Sequence, residues 1–240
     1  MKISIFGLGY VGAVSAGCLA KDGHQVIGVD SYQNKVDLIN AGTSPIVEKD
    51  IGEIIKAAAK KGDLKATTDV KEAVMGSDIS LICVGTPSQL NGSLDLKYVR
   101  KVCEEIGEVI RDKDSFHVVV ARSTMLPGSM WNVVIPTLEE SSGKKAGEGF
   151  GVCNNPEFLR EGTAVYDYFN PPKTVIGETD EKSGDVLASI YEGLSAVMIR
   201  TSVEVAEMVK YTDNVWHAAK VGFANEIGNI CKEQKRDSHK

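Results

Sequence analysis

The 240-residue sequence predicts an α/β fold: a doubly wound parallel sheet, a smaller second α/β segment and a long C-terminal helix. Three observations carry that expectation. Short Val/Ile-rich runs alternate with helix-period segments through the first half of the chain, the rhythm of βαβ units. A glycine-rich turn stands between the first such run and the first helical segment. The final helical pattern continues from Val203 to Gln234, on the order of 48 Å at the rise of an α-helix.

Taken in order, Lys2–Phe6, Gln25–Val29, Ile79–Val84 and His117–Val120 read as strands, with a weaker one at Leu64–Thr67. Their nearly continuous apolar character suits a parallel sheet covered on both faces. Helical patterns lie between them near Val11–Lys21, Asn34–Asn40, Ile51–Lys61 and Leu96–Arg111. A polar segment, Glu139–Gly149, precedes a second block with strands near Phe150–Cys153, Thr174–Ile176 and Val197–Arg200, and a helix over Ser183–Glu192. Thr201 followed by Glu204 has the spacing of a capping box at the start of the long helix. The expected division is a dinucleotide-binding unit over 1–140, the rest of that α/β domain over 150–202, the long helix over 203–234 and a charged, truncated tail over 235–240.

Composition narrows the function. Hydrophobic residues make up 42% and charged residues 25%, which suits a globular core rather than a disordered chain. The net charge of −6 argues against nonspecific nucleic-acid binding, so no nucleic-acid partner is expected and an anionic ligand needs local donors. Five cysteines, odd in number and without metal-type spacing, predict no metal site; Cys18, Cys83 and Cys103 read as buried thiols. That usage fits a reducing, cytoplasmic setting. The opening residues run directly into a strand rather than forming a signal peptide, and no apolar stretch is long enough to span a membrane.

Gly7-Leu8-Gly9-Tyr10-Val11-Gly12 matches G-x-G-x-x-G where that motif carries meaning: after a strand, opening a helix, before a second strand. This is the signature of a Rossmann-type unit. Gly7 permits the tight turn, Gly9 lets a pyrophosphate approach the backbone, and Gly12 allows close helix–strand packing. The helix start then faces the pyrophosphate with free N–H groups. Asp30, 18 residues after Gly12, ends the second strand, where a carboxylate accepts the adenosine ribose hydroxyls and repels an added phosphate. The expected cofactor is therefore NAD. Cys83-Val84-Gly85-Thr86-Pro87 and Arg122-Ser123-Thr124 follow further strands and face the same crevice, though each alone also reads as a plain turn.

In the second block, Asn154–Gly162 is a dense polar run in which Glu157 suits a general base and Glu161 a ligand contact. The same acidic residues also suit a helix N-terminus and its dipole. On the long helix, Lys210, Asn214, His217 and Asn225 recur at offsets of 4, 7 and 15 among apolar neighbours, within roughly 80° of one face. A solvated face would more commonly carry Glu–Lys pairs.

These runs together resemble the UDP-glucose/GDP-mannose dehydrogenase family across essentially the whole chain. The matching segments are Ile5–Gly12, Cys83–Pro87, Arg122–Thr124, Asn155–Gly162 and Glu207–Tyr211. Phe169–Gly177 and Asn214–Lys220 resemble the GDP-mannose branch more than the UDP-glucose branch, so GDP-mannose is the expected nucleotide sugar. The resemblance implies oxidation of the sugar C6 alcohol to a carboxylate in two hydride transfers to NAD. It implies that Tyr10, Val11, Asp30, Lys35, Thr86 and Thr124 contact NAD, beside Gly7, Gly9, Gly12 and Gly85. It further implies that Glu161, Lys210, Asn214, His217 and Asn225 line the nucleotide-sugar site. Lys210 and Asn214 would polarise the reacting oxygen, Thr124 would position a water, and Glu157 would assist the final hydrolysis.

The family's second oxidation uses a cysteine in a Gly-Gly-Ser-Cys-type run that this sequence does not contain. The chain therefore reads as the N-terminal part of a dehydrogenase, expected to bind NAD without completing the four-electron oxidation alone. Cys153 and Cys231 are weak substitutes for the missing thiol. The long helix is a dimer element in the family, and Trp216 and Phe223 predict a homodimer. Three rivals stay open: a UDP-glucose dehydrogenase, a β-hydroxyacid dehydrogenase, which pairs a similar domain with Lys and Asn four residues apart, and a noncatalytic NAD-binding fragment.

Overall fold

The computed structural model describes residues 1–238; His239 and Lys240, the end of the expected tail, lie outside the described residues. Eight strands form one sheet in the order β3-β2-β1-β4-β5-β6-β7-β8. They are β1 (Lys2–Phe6), β2 (Gln25–Val29), β3 (Leu64–Thr67), β4 (Ile79–Ile82), β5 (Val118–Ala121), β6 (Gly151–Asn154), β7 (Thr174–Glu178) and β8 (Met198–Ser202). All neighbours pair in parallel except β6 and β7. β6 pairs with β5, so the strands of the second segment continue the first sheet. The order reverses direction between β1 and β4, and open α/β sheets bind ligands at such a switch point, outside the carboxyl ends of the strands.

Nine α-helices are described: α1 (Tyr10–Lys21), α2 (Gln33–Asn40), α3 (Ile51–Lys61), α4 (Val70–Met75), α5 (Lys97–Arg111), α6 (Ile135–Ser142), α7 (Ala164–Phe169), α8 (Glu181–Ser189) and α9 (Val203–Glu233). A π turn, Met130–Val134, leads into α6. The core lies in two layers, one on each face of the sheet. Ile3, Ile5, Leu81, Val118 and Val120 point to one, and Phe6, Ile82, Val119, Ala121 and Val152 to the other. Alternation along the strands puts consecutive residues on opposite faces, so both sets must be apolar.

Some local expectations are corrected. The helix α6 starts before the polar segment Glu139–Gly149 and ends inside it at Ser142, and α4 and α7 are additions. Thr201 does not cap α9, because it is paired with Gly177 in the β7–β8 ladder. The N-cap is Ser202, without a side-chain cap, and Glu204 instead accepts a bond from the Trp131 indole. Toward the amino-terminal ends of the central strands β1, β4 and β5 a buried polar chain links Lys113, His117, Ser80 and Ser4. The Lys113 ammonium lies 2.9 Å from His117 Nδ1, and His117 Nε2 lies 2.7 Å from Ser80 Oγ. An ammonium only donates, so Nδ1 accepts and Nε2 carries the proton toward Ser80.

Candidate functional site

The glycine turn has the geometry its spacing predicts. Gly7 adopts φ +94°, a left-handed conformation in which a side chain is strained. A Cβ on Gly12 would lie 1.8 Å from the Gly7 carbonyl oxygen, so α1 packs against the turn only because that atom is missing. A Cβ on Gly9 would meet nothing within 4 Å, and Gly9 lines the open cleft, so the backbone there is accessible to a ligand. Gly9 is also the N-cap of α1, with no side chain capping the free N–H groups. This cradle fits a dinucleotide.

Asp30 is buried at the end of β2 and braces the same turn. Its Oδ2 accepts the Leu8 amide at 2.8 Å and the Lys35 ammonium at 3.0 Å, and its Oδ1 accepts the Tyr32 amide at 3.0 Å. The cleft is lined by Gly7, Gly9, Asp30, Lys35, Cys83 and Gly85, among others. Cys83 is thus half-buried at the cleft wall rather than enclosed as expected, since β4 ends one residue earlier. Packing against the core still pushes its thiol up to about 12. Val11 is half-buried in the first turn of α1.

The next two strand-end loops are stapled to each other. The Ser123 hydroxyl donates to the Val84 carbonyl at 2.6 Å, and the Thr86 hydroxyl to the Thr124 carbonyl at 2.8 Å. Thr86 and Thr124 share a hollow with Tyr211 and Asn214 of α9. One turn earlier on α9, Lys210 Nζ lies 3.1 Å from Glu157 Oε1, both side chains being about nine-tenths buried. Lys173 and Lys210 both stand over the Phe158 ring, with Nζ 4.1 and 5.4 Å from its centroid.

Not every expected residue is gathered here. Glu161, His217 and Asn225 are exposed. Only the start of α9 is embedded, through Val203, Ala206, Glu207 and Lys210, and every residue from 212 to 227 is exposed. Asn225 therefore lies roughly 22 Å along the helix axis from Lys210. Cys153 is fully enclosed in β6, and burial raises its thiol pKa further, which removes it as a nucleophile.

Three side chains take positioning roles that the sequence reading does not assign, although Arg122 and Glu207 lie in segments it singles out. Buried Glu207 accepts the amides of Gly128 and Met130 at 2.7 and 2.9 Å, pinning the chain beyond Thr124 to α9; burial raises its pKa. Buried Arg122 donates to Asn155 Oδ1 and to the Tyr191 hydroxyl, tying the Thr124 loop to the Glu157 loop. Glu48, between α2 and α3, accepts from the Tyr10 hydroxyl and from the Gly162 amide. A charged side chain within a run of family-like residues was a signal for Glu207. For Glu48 the sequence offered none.

A switch-point cleft with a glycine cradle and a buried carboxylate at the end of β2 is the arrangement of a dinucleotide-binding domain, and comparison with known proteins gives its family. Residues 1–195 match the "UDP-glucose/GDP-mannose dehydrogenase family, NAD binding domain", and residues 204–240 match that family's central domain. The chain belongs to the UDP-glucose/GDP-mannose dehydrogenase family. It is 62% identical to a GDP-mannose 6-dehydrogenase from Pseudomonas syringae pv. syringae over 97% of this chain and 53% of the relative. A UDP-glucose 6-dehydrogenase from Haloferax volcanii is 40% identical over 97% of this chain and 55% of its own length. Among solved structures, a ternary complex of GDP-mannose dehydrogenase from Pseudomonas aeruginosa superimposes with a TM-score of 0.98 at 61% identity, covering 100% of this chain and 55% of the other. The chain thus spans about half the length of the relatives it matches. No helix among the described residues is long and apolar enough to cross a membrane.

Proposed function

We propose that this chain carries the cofactor site and part of the sugar site of a GDP-mannose 6-dehydrogenase, which oxidises the C6 alcohol of GDP-mannose to a carboxylate. NAD, when bound, accepts the hydride in each of the two oxidations. The turn Gly7–Gly12 and the N-terminus of α1 hold its pyrophosphate, and Asp30, whose oxygens keep lone pairs beyond their protein bonds, takes the ribose hydroxyls. Tyr10, Val11, Lys35, Gly85, Thr86 and Thr124 complete the cofactor contacts.

The observation that carries the reading is the Glu157–Lys210 pair, 3.1 Å apart, one helical turn from Asn214 in the hollow shared with Thr86 and Thr124. A buried ammonium and a neighbouring amide oppose negative charge developing on the C6 oxygen. Thr124 positions a water that serves the first deprotonation, and Glu157 assists the final hydrolysis. Glu161, His217 and Asn225 bind the nucleotide sugar. The 62% against 40% identities favour GDP-mannose over UDP-glucose.

The exposed part of α9 is the proposed dimer element. Trp216, Phe223 and Ile230 recur every seven residues at 63%, 69% and 56% exposure, the stripe of a helix that packs on another helix. A second copy covering it would bring further groups to the outlying His217 and Asn225. Calorimetry tests the substrate. NAD is titrated into the protein, then GDP-mannose or UDP-glucose into the NAD complex. The expected result is saturable NAD binding and at least tenfold tighter GDP-mannose binding. Equal affinity for the two sugars overturns the substrate assignment, and no heat from NAD overturns the whole reading.

A further inference from the structure

Glu48 stands where the cofactor half and the sugar half of the site meet. It lies in the irregular stretch 41–50 and is half-buried. Its Oε2 accepts both the Tyr10 hydroxyl and, at 2.7 Å, the Gly162 amide; its Oε1 accepts the Lys49 amide at 3.1 Å. Tyr10 is the first residue of α1, directly after Gly9, and so sits at the helix end that faces the cofactor. Its hydroxyl also reaches the Arg160 carbonyl at 3.5 Å. Gly162, at φ +85°, closes the loop that carries Glu157 and Glu161.

That loop has no regular secondary structure from 155 to 160. Few backbone bonds hold such a segment, so it belongs to the low-stability end of the fold, where one added tie changes its order most. The opposite end of the loop is held by Arg122 through Asn155, and the middle by the Glu157–Lys210 pair. At the remaining end Arg160 is tied to Asp167 of α7 through its amide and guanidinium, and the Glu48 bonds attach that end to the helix that receives the pyrophosphate.

We propose that Glu48 is a positioning residue for the nucleotide-sugar loop, a latch through which the cofactor-facing end of α1 orders residues 157–162. The inference rests on the reading of Gly7–Gly12 as the NAD cradle. Cofactor bound at α1 holds Tyr10, Tyr10 holds the Glu48 carboxylate, and the carboxylate holds the Gly162 amide, so cofactor and sugar sites are coupled. Coupling of this kind is reciprocal, and loss of the latch weakens it from both sides. Burial raises the carboxylate pKa and the bonds from Tyr10 and Gly162 lower it, with a net lowering, so the latch is ionised at neutral pH.

The test is amide hydrogen exchange of residues 157–163 with and without saturating NAD, in the native protein, Glu48→Ala and Glu48→Gln. NAD is expected to slow exchange in this loop at least fivefold in the native protein. In Glu48→Ala that protection disappears, while calorimetry still detects NAD binding and the amides of β1 and β4 exchange as before. Glu48→Gln keeps an oxygen that can accept both bonds and retains part of the effect; if Glu48→Ala does not fold, a loss of at least twofold in Glu48→Gln decides. Full NAD-dependent protection in Glu48→Ala, or none in a native protein that binds NAD, overturns the latch. A native protein that fails to bind NAD removes the cofactor reading, and the latch with it.

Discussion

Two glycines three residues apart are expected to fail in opposite ways when given the same methyl group. Gly9 sits at φ −77° and ψ −163°, which alanine adopts freely, and its Cβ would touch nothing within 4 Å. Losing a glycine at an N-cap and stiffening the unfolded chain nearly offset, so Gly9→Ala keeps the native stability to within about 1 kcal/mol. Its methyl group, however, occupies the approach to the α1 amides. Hydrogen bonds to a charged group are worth about 1.5–3 kcal/mol each, so losing one weakens NAD binding by about ten- to a hundredfold. The Gly12→Ala methyl would lie 1.8 Å from the Gly7 oxygen. Restoring ordinary contact needs a retreat of roughly 1.5 Å by helix or turn, an overpacking cost of about 1–3 kcal/mol or more. That corresponds to a melting point lower by roughly 2–12 °C for a chain of this size. Thermal melts and NAD calorimetry on both variants separate the cases. If Gly9→Ala binds NAD with native affinity, or melts as early as Gly12→Ala, the placement of the pyrophosphate at this turn is wrong.

Two further outcomes are expected from the packing around His117 and along α9. Burial and the Lys113 ammonium depress His117 to about 3, so the fold is most stable above pH 6.5 and loses stability as the pH falls toward 3. Denaturant titrations are expected to give roughly 2 kcal/mol less stability at pH 5 than at pH 7.5 from this group alone, a loss absent in His117→Asn; equal pH slopes for the two proteins would exclude it. The exposed stripe on α9 predicts a dimer by light scattering and a monomer for Trp216→Glu combined with Phe223→Glu. A native protein that runs as a monodisperse monomer would leave the stripe without the proposed partner.

How much was legible in the sequence differs from element to element. The strands of the first half read correctly because parallel strands covered on both faces are continuously apolar, a signal contained in each segment. α4 was passed over although Asp69 and Glu72 carry the N-cap spacing, and the Asp69 carboxylate does accept the Glu72 amide at 3.0 Å. Six residues are too few for helical periodicity to stand out. Thr201 and Glu204 show the converse: a good local signal for a cap, overruled because Thr201 is held in a β ladder by Gly177. Within the site, Lys210 and Glu157 stood out as residue types in unusual company, but their pairing across 53 positions did not. Glu48 was not legible at all, and for Arg122 and Glu207, which lie in runs that did stand out, the positioning role was not, since each acts on partners at least 30 residues away.

By itself the amino-acid sequence determined the α/β fold, the cofactor turn and the family, because glycine spacing and apolar period act within a few residues of the chain. Only the tertiary structure decided that one sheet runs through both segments, that β7 turns against β6, and that Glu157 meets Lys210. Those outcomes depend on which distant groups remain near one another once the core has closed. No local pattern encodes them, because the free energy that selects them belongs to the packed whole.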